Sequence, residues 1–200
     1  MPKRPRTLPI GRCMTYLLTS KSAHDAGAED ERIATLIPPG GLTLRQVAAL
    51  DVTAEDRLWA LCHAVGAPAR VLRLFAVRLA RESLARESLV LSHVPDLLNT
   101  PARESITSGC DVAEITSACD VAERYAEGQA TCSELLAAND SLTSAPWRSA
   151  GAVAYAATLI EEWDAVYGAT RAASLVLLDA TWDSQIEKLI EMLESEEKYK

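Results

Sequence analysis

The segment that most invites a chemical interpretation is a nine-residue unit written twice, ITSGCDVAE at residues 106–114 and ITSACDVAE at residues 115–123. Each copy places a cysteine beside an aspartate, and thiolates could bind a metal ion if the two copies met at one point. Nine residues of helix turn by about 900°, half a turn beyond two rotations, so the copies face opposite sides. Cys110 and Cys119 would also lie about 13 Å apart along the axis. We therefore interpret the pair as a tandem duplication and not as a metal site.

The two copies differ at one position, which is Gly109 in the first and Ala118 in the second. Glycine weakens a helix by about 1 kcal/mol relative to alanine, so the first copy should be the looser one. In the second copy, Ile115 and Cys119 belong to a stripe of apolar residues spaced by three and four, as on one helix face. We expect the second copy within a packed helix, and the first at the start of that helix or in the loop before it.

A second candidate for chemistry is the line formed by Asp56, Trp59 and His63, spaced by three and four residues. A histidine near a carboxylate could act as an acid–base pair. Seven residues of helix rise by about 10 Å, however, which is too far for Asp56 and His63 to touch directly. We favour a capping aspartate and a histidine at the edge of the core, and keep a small enzyme using Asp56 and His63 as an alternative.

No known catalytic motif accompanies these residues. The sequence contains no nucleophile elbow, no HExxH zinc motif, no P-loop and no dinucleotide fingerprint. His24 and His93 have no companions at metal-ligand spacing. We accordingly expect a protein with no catalytic residue, no cofactor and no metal ion.

The distribution of charge argues against nucleic-acid binding. The chain carries a net charge of −8, and residues 101–200 hold 18 acidic side chains against 7 basic ones. A DNA- or RNA-binding protein presents a basic face on its folded part, whereas an acidic surface suits a basic protein partner. The 5 cysteines form no CxxC pair, and no stretch reaches the roughly 20 apolar residues of a membrane span. We expect a cytoplasmic protein with free thiols and no membrane association.

Signals for helices recur from residue 42 onwards. Thr43, Thr53 and Thr131 each stand where a threonine can cap a helix. Alanine and leucine dominate, and no segment alternates polar with apolar residues as a strand does. We predict an all-α fold, a single-domain bundle of about six or seven helices over residues 42–197, preceded by an irregular extension over residues 1–41.

One predicted helix, over about residues 69–90, carries a row of arginines opposite an apolar side. The row consists of Arg70, Arg73, Arg78 and Arg81. We expect these arginines to receive acidic groups from the C-terminal helices, within the chain or across a dimer.

Another predicted helix is long and starts at Pro146, because proline favours the first helical position. The aromatic and apolar residues on it are four apart and should line one face; they are Tyr155, Leu159, Trp163 and Tyr167. We expect Trp147, just inside the helix start, to be partly exposed. The helical spacing of the other tryptophans places them in the core; these are Trp59, Trp163 and Trp182.

Three segments together resemble a helical family of immunity proteins, predicted from bacterial polymorphic-toxin loci and also found among phage-type sequences. The first is LTLRQVAALDVTAEDRLWALCHAVGAPARVLRLFAVRLA at residues 42–80, with its DRLW motif. The second is DVAERYAEGQATCSELLAA at residues 120–138, where a helix ends at a glycine and a capped helix follows. The third is the alanine-rich stretch from residue 150 that ends in WDSQIEKLIEML at residue 193.

The resemblance implies an all-α protein that neutralises a toxin or effector by binding it in a stoichiometric complex, without catalysis. We keep two alternatives open, which are a phage-encoded antagonist of a host defence protein and a structural helical protein that forms homo-oligomers. The residues that we expect to contact the partner are Arg57, Arg73, Arg81, Trp147, Glu161 and Glu162.

Overall fold

The computed structural model describes residues 16–26, 35–93, 112–143, 150–176 and 181–198. Of these residues 76% are helical, and the only strands among them form a sheet of two short strands. The prediction of an all-α single domain is confirmed. In the described part of the chain, no helix is both long enough and apolar enough to cross a membrane.

The described residues form nine α-helices, more than the six or seven that the sequence predicts. They are α1 (Ser20–Asp25), α2 (Leu44–Ala48), α3 (Ala54–Trp59), α4 (Ala69–His93), α5 (Val112–Ala126), α6 (Cys132–Ser141), α7 (Ala150–Ala157), α8 (Glu162–Val176) and α9 (Trp182–Lys198). A π-helical segment, Ala60–Ala64, continues α3 directly.

The N-terminal segment is more ordered than the predicted irregular extension. Strand β1 (Leu17–Leu18) pairs antiparallel with β2 (Leu42–Thr43), and Thr19 caps α1. Leu18 and Ala23 are completely buried, so this segment contributes to the hydrophobic core. The irregular extension is therefore a wrong prediction for residues 16–26, because strands of two residues are too short to give an alternating pattern.

Helix α4 packs against four other helices, namely α5, α7, α8 and α9. Its residues from Val71 to Val77 are buried with the single exception of the half-buried Leu74, so the helix is covered on several sides. Phe75 and Leu79 are completely buried. Helix α4 therefore forms a large part of the core, and the helices around it pack on its surface.

The long helix predicted from Pro146 is interrupted in the described residues. Helix α7 ends at Ala157 and α8 begins at Glu162, so residues 158–161 form a break. Pro146 itself lies outside the described residues. Gly168 lies inside α8, where an added Cβ would come within 3.0 Å of the Ala156 Cβ atom. The missing side chain lets α7 and α8 pack closely.

The second copy of the duplicated segment behaves as its helical phase predicts. The second copy lies wholly in α5, where Ile115 and Cys119 are 4% and 0% exposed, so both face the core. The last three residues of the first copy form the first turn of α5. Cys110 and the rest of that copy lie outside the described residues.

Candidate functional site

The most distinctive surface feature is a row of five stacked rings, which we call the aromatic strip. It consists of Trp59, His63, Trp163, Tyr167 and Trp182, and each ring contacts the next. The centroid distances along the row are 5.6, 5.0, 5.4 and 5.8 Å. All four pairs are tilted, with interplanar angles of 32 to 59°. Such separations lie within the range in which aromatic rings attract one another.

The strip is most open to solvent at His63 and is anchored along one edge by core contacts. His63 is exposed, while the other four rings are half-buried. The three tryptophans pack one side against the hydrophobic core. The prediction that Trp59, Trp163 and Trp182 belong to the core is therefore only partly right, because each also contributes to a surface.

The π-helical segment sets the position of His63. Its i→i+5 pattern is closed by the Val65 amide, which donates a hydrogen bond to the Ala60 carbonyl oxygen at 3.0 Å. The other four residues of Ala60–Ala64 are buried, so His63 alone in this segment points outwards. The segment thereby turns the histidine towards Trp163, which lies on a different helix. Short π-helical turns of this kind often occur at functional sites.

The rest of the strip comes from α8 and α9. Trp163 and Tyr167 are one helical turn apart, and their spacing predicts that they share a face. Trp182 is the first residue of α9 and reaches Tyr167 from the next helix. The other two residues of the face predicted for the long helix do not join the strip, because Tyr155 lies on α7 and Leu159 lies in the break.

The start of α8 is fixed by the buried Arg73. Its guanidinium donates hydrogen bonds to the carbonyl oxygens of Ala157 at 3.1 Å, of Ile160 at 2.6 Å, and of Leu159. It also lies 3.8 Å from a carboxylate oxygen of Glu162. Arg73 is 1% exposed, so the expectation that it contacts a partner is wrong. The carbonyl groups at an interrupted helix have no donors within the helix, and the buried Arg73 supplies them.

Several carboxylates neighbour the rings in the sequence. Glu161 and Asp164 are exposed in and just before the first turn of α8, and Glu162 is half-buried beside them. Asp183, whose side chain is 71% exposed, follows Trp182 and accepts a hydrogen bond from Arg57. Two of the expected contact residues, Glu161 and Glu162, therefore lie next to the strip.

The remaining expected contact residues have different positions. Arg57 is largely buried and also donates to the Leu50 carbonyl oxygen at 3.2 Å, so it joins the turn before α3 to α9. Arg81 pairs with Asp120 and Glu123 of α5, a helix that contributes no ring to the strip. Trp147 lies outside the described residues.

The arginine row of α4 is largely paired within the chain. Arg70 binds Glu127 and Glu196, and the latter belongs to the C-terminal helix as expected. Arg78 instead pairs with Glu82 on its own helix, at 3.0 Å. Together with the contacts of Arg73 and Arg81, these pairs give every arginine of the row a partner within the chain.

The alternative pairing of Asp56 with His63 finds no support in the contacts of either side chain. Asp56 takes part in the N-terminal cap of α3, since its amide donates to the hydroxyl of the capping residue Thr53 and its carboxylate accepts from that hydroxyl at 2.6 Å. His63 contacts rings on both sides, and burial lowers the pKa of its imidazole. Among the described residues, no three His, Cys, Asp or Glu side chains are grouped so that they could hold a metal ion.

The fold and this surface define the chain as an all-α single-domain protein with an aromatic strip bordered by carboxylates. Comparison with models of protein families, with curated proteins and with solved structures finds no match. The sequence indicated which rings share a helix face, but it gave no sign that α3, α8 and α9 would bring their rings into one row.

Proposed function

We propose that this protein is a non-enzymatic inhibitor that neutralises a toxin or effector protein by forming a stoichiometric complex with it. The observation that carries the proposal is the aromatic strip. Tryptophan and tyrosine supply much of the binding energy in protein interfaces, and here three tryptophans and one tyrosine share one partly open surface. The resemblance of residues 42–193 to immunity proteins implies the same class.

The support beneath the strip favours binding without large rearrangement. Trp59, Trp163 and Trp182 are each held by core contacts, and the start of α8 is held by Arg73. A side chain already fixed in its bound position loses little conformational entropy on association. A surface built in this way suits an inhibitor, whose task is tight binding and not turnover.

The surrounding charge favours a basic partner. The chain carries a net charge of −8, and the carboxylates of Glu161, Asp164 and Asp183 are exposed near the rings. Opposite charge on the two proteins raises the association rate and disfavours acidic competitors. We therefore expect the association rate to fall as salt is added.

The test is a quantitative binding experiment with the full chain. The tagged protein captures its partner from a lysate of the host, and the purified partner is then titrated by calorimetry against three forms of the chain. Wild type should bind at a 1:1 ratio. Trp163→Ala should weaken binding by about 30-fold, the effect of losing an interface residue worth about 2 kcal/mol.

Arg81→Ala is the matched control, because Arg81 was an expected contact residue but lies away from the strip. We expect it to change the affinity less than about threefold. Both variants must first show the thermal transition of a folded protein. Failure to obtain any stoichiometric partner would contradict the inhibitor proposal. If Arg81→Ala abolished binding and Trp163→Ala did not, the binding surface would include Arg81 and not the aromatic strip. A host defence protein as the partner would favour the phage antagonist.

A further inference from the structure

We propose that the aromatic strip receives a cationic side chain, an arginine or a lysine, from a basic segment of the protein partner. This inference rests on the proposed function and names the chemistry that the surface recognises. It is carried by the placement of five contacting rings beside exposed carboxylates.

The rings supply a surface that attracts cations. The face of an aromatic ring carries partial negative charge, and tryptophan binds cations best. His63 lies between Trp59 and Trp163, with centroid distances of 5.6 and 5.0 Å, so this part of the strip offers an imidazole flanked by two indoles. The same interaction occurs inside the fold, where the guanidinium carbon of Arg73 lies 5.4 Å from the centre of the Tyr125 ring.

Carboxylates near the rings add direct charge attraction. Asp164 is exposed one helical turn before Tyr167. Asp183 directly follows Trp182, although its carboxylate is already paired with Arg57. Among the basic groups nearby, Arg57 is engaged by Asp183 and by the Leu50 carbonyl oxygen. Arg171 is exposed one turn after Tyr167, so α8 carries one positive charge near the rings. The start of α8 and the residue before it carry three carboxylates, those of Glu161, Glu162 and Asp164.

The histidine between Trp59 and Trp163 does not oppose a cation. Burial between the indoles lowers the pKa of His63, so its imidazole is neutral at physiological pH. A neutral ring can stack with a guanidinium plane, whereas an imidazolium would repel it. The uncharged state of His63 thus fits a cationic ligand.

Other occupants fit this surface less well. An apolar segment would cover the rings but would remove water from the nearby carboxylates without offering them a partner. A second copy of this chain would bring another net charge of −8 against the first, and its own strip is bordered by the same carboxylates. A basic segment satisfies both the rings and the carboxylates.

The experiment measures binding of short peptides to the full chain by nitrogen–proton NMR. The indole signals are assigned with single Trp→Phe variants. The probes are acetyl-GRGRG-amide, acetyl-GLGLG-amide and acetyl-GEGEG-amide at equal concentrations. We expect the arginine peptide to shift the indole signals of Trp59, Trp163 and Trp182 in a saturable manner, and the leucine and glutamate peptides to leave them in place.

Two variants separate the strip from the general acidity of the chain. Trp163→Leu keeps an apolar side chain but removes the indole, and it should weaken the response at Trp59 and Trp182 about threefold or more. Asp140→Asn removes an exposed carboxylate on α6 and should leave the response unchanged. If Trp163→Leu lacks the helical circular dichroism of wild type, His63→Ala takes its place, because His63 is exposed and its ring contacts both Trp59 and Trp163.

Several outcomes would overturn the inference. One is an equal response of the indole signals to the leucine or glutamate peptide, and another is a response that survives the loss of the Trp163 indole. A third is a change in the indole signals with protein concentration in the absence of peptide, which would indicate that a second copy binds. If a partner binds through the strip but the arginine peptide gives no response, the proposal of a cationic ligand is wrong and the inhibitor proposal stands. An arginine response without any captured partner would instead contradict the inhibitor proposal.

Discussion

The guanidinium of Arg73 on α4 donates a hydrogen bond to the carbonyl oxygen of Ile160, 2.6 Å away, across the break between α7 and α8. The last carbonyl groups of a helix have no partner within it and carry the negative end of the helix dipole. A buried cation that donates to several of them satisfies both requirements, and its hydrogen bonds are strong because the donor is charged. The break is further held by Asn139, whose amide donates to the Thr158 hydroxyl at 2.9 Å. The helix interruption therefore depends on residues far away in the sequence.

Replacing Arg73 with methionine should destabilise the fold severely. Methionine fills similar space but donates nothing, so three carbonyl oxygens near the core lose their partner. We expect the free energy of unfolding, measured by urea denaturation, to fall by about 3 kcal/mol or more. Arg124→Met is the matched control, because Arg124 is half-exposed and its pair with Glu134 is 3.7 Å long; it should cost less than about 1 kcal/mol. Equal losses in the two variants would show that the carbonyl contacts of Arg73 are unimportant.

Local signals in the sequence predicted much of the helical structure. Thr43 and Thr131 form capping boxes with Gln46 and Glu134, as their spacing indicates. The buried stripe of α5 also follows from spacing alone. The break at residues 158–161 was missed because neither proline nor glycine marks it, and the side chain that stabilises it belongs to α4. Local patterns cannot report a donor that arrives from more than eighty residues away.

The candidate site was predicted only in fragments. The spacing of Trp163 and Tyr167 placed them on one face, and that of Trp59 and His63 placed them on one line. The strip forms only where these two pairs of rings and Trp182 come together from different helices. The sequence pattern of a single helix does not predict which helices pack against each other. The same limit explains why Arg73, one of a row of similar arginines, could not be recognised as the buried one.

Replacing Gly168 with alanine should lower stability even though alanine favours helix. The new Cβ would lie 3.0 Å from the Ala156 Cβ atom, which is tighter than most real Cβ contacts, so α7 or α8 would have to shift by a few tenths of an ångström. We expect a loss of about 1 kcal/mol after the helix propensity gain of similar size, as measured by thermal unfolding. Adding Ala156→Gly should remove most of the clash, so the double-mutant cycle should show favourable coupling. Gly40→Ala, where no atom lies within 4 Å, is the control and should be nearly neutral. A more stable Gly168→Ala protein would refute the close packing of α7 and α8.

The cysteines in the described residues should differ sharply in reactivity. Cys132 is exposed at the start of α6, whereas Cys62 and Cys119 are buried. Burial raises the pKa of both buried thiols, that of Cys119 to about 11, and the thiolate is the reactive form. In iodoacetamide labelling followed by peptide mass spectrometry, Cys132 should react at least about tenfold faster than either. The difference should vanish in denaturant. Rapid labelling of Cys119 in the folded protein would contradict the inward orientation of the second sequence copy.

The histidine of the aromatic strip should make stability depend on pH. Burial beside the indoles lowers the pKa of His63 in the folded state, so the unfolded chain takes up this proton first as the pH falls. The fold has its full stability above the ordinary histidine pKa of about 6.5 and loses part of it as the pH falls towards the lower folded value. Wild type should therefore lose more stability than His63→Gln between about pH 7.5 and about pH 5, measured by urea denaturation at each pH.

The titration of His63 itself provides the direct check. Proton NMR of the imidazole should give a lower pKa in the folded protein than in the protein unfolded by urea. Because desolvation is the cause, Trp163→Ala should admit water and move this pKa back towards its ordinary value. A folded-state pKa at or above that of the unfolded chain would mean that nearby carboxylates outweigh burial. In that case His63 would carry a positive charge at slightly acidic pH, and the affinity of the strip for a cationic side chain would fall there.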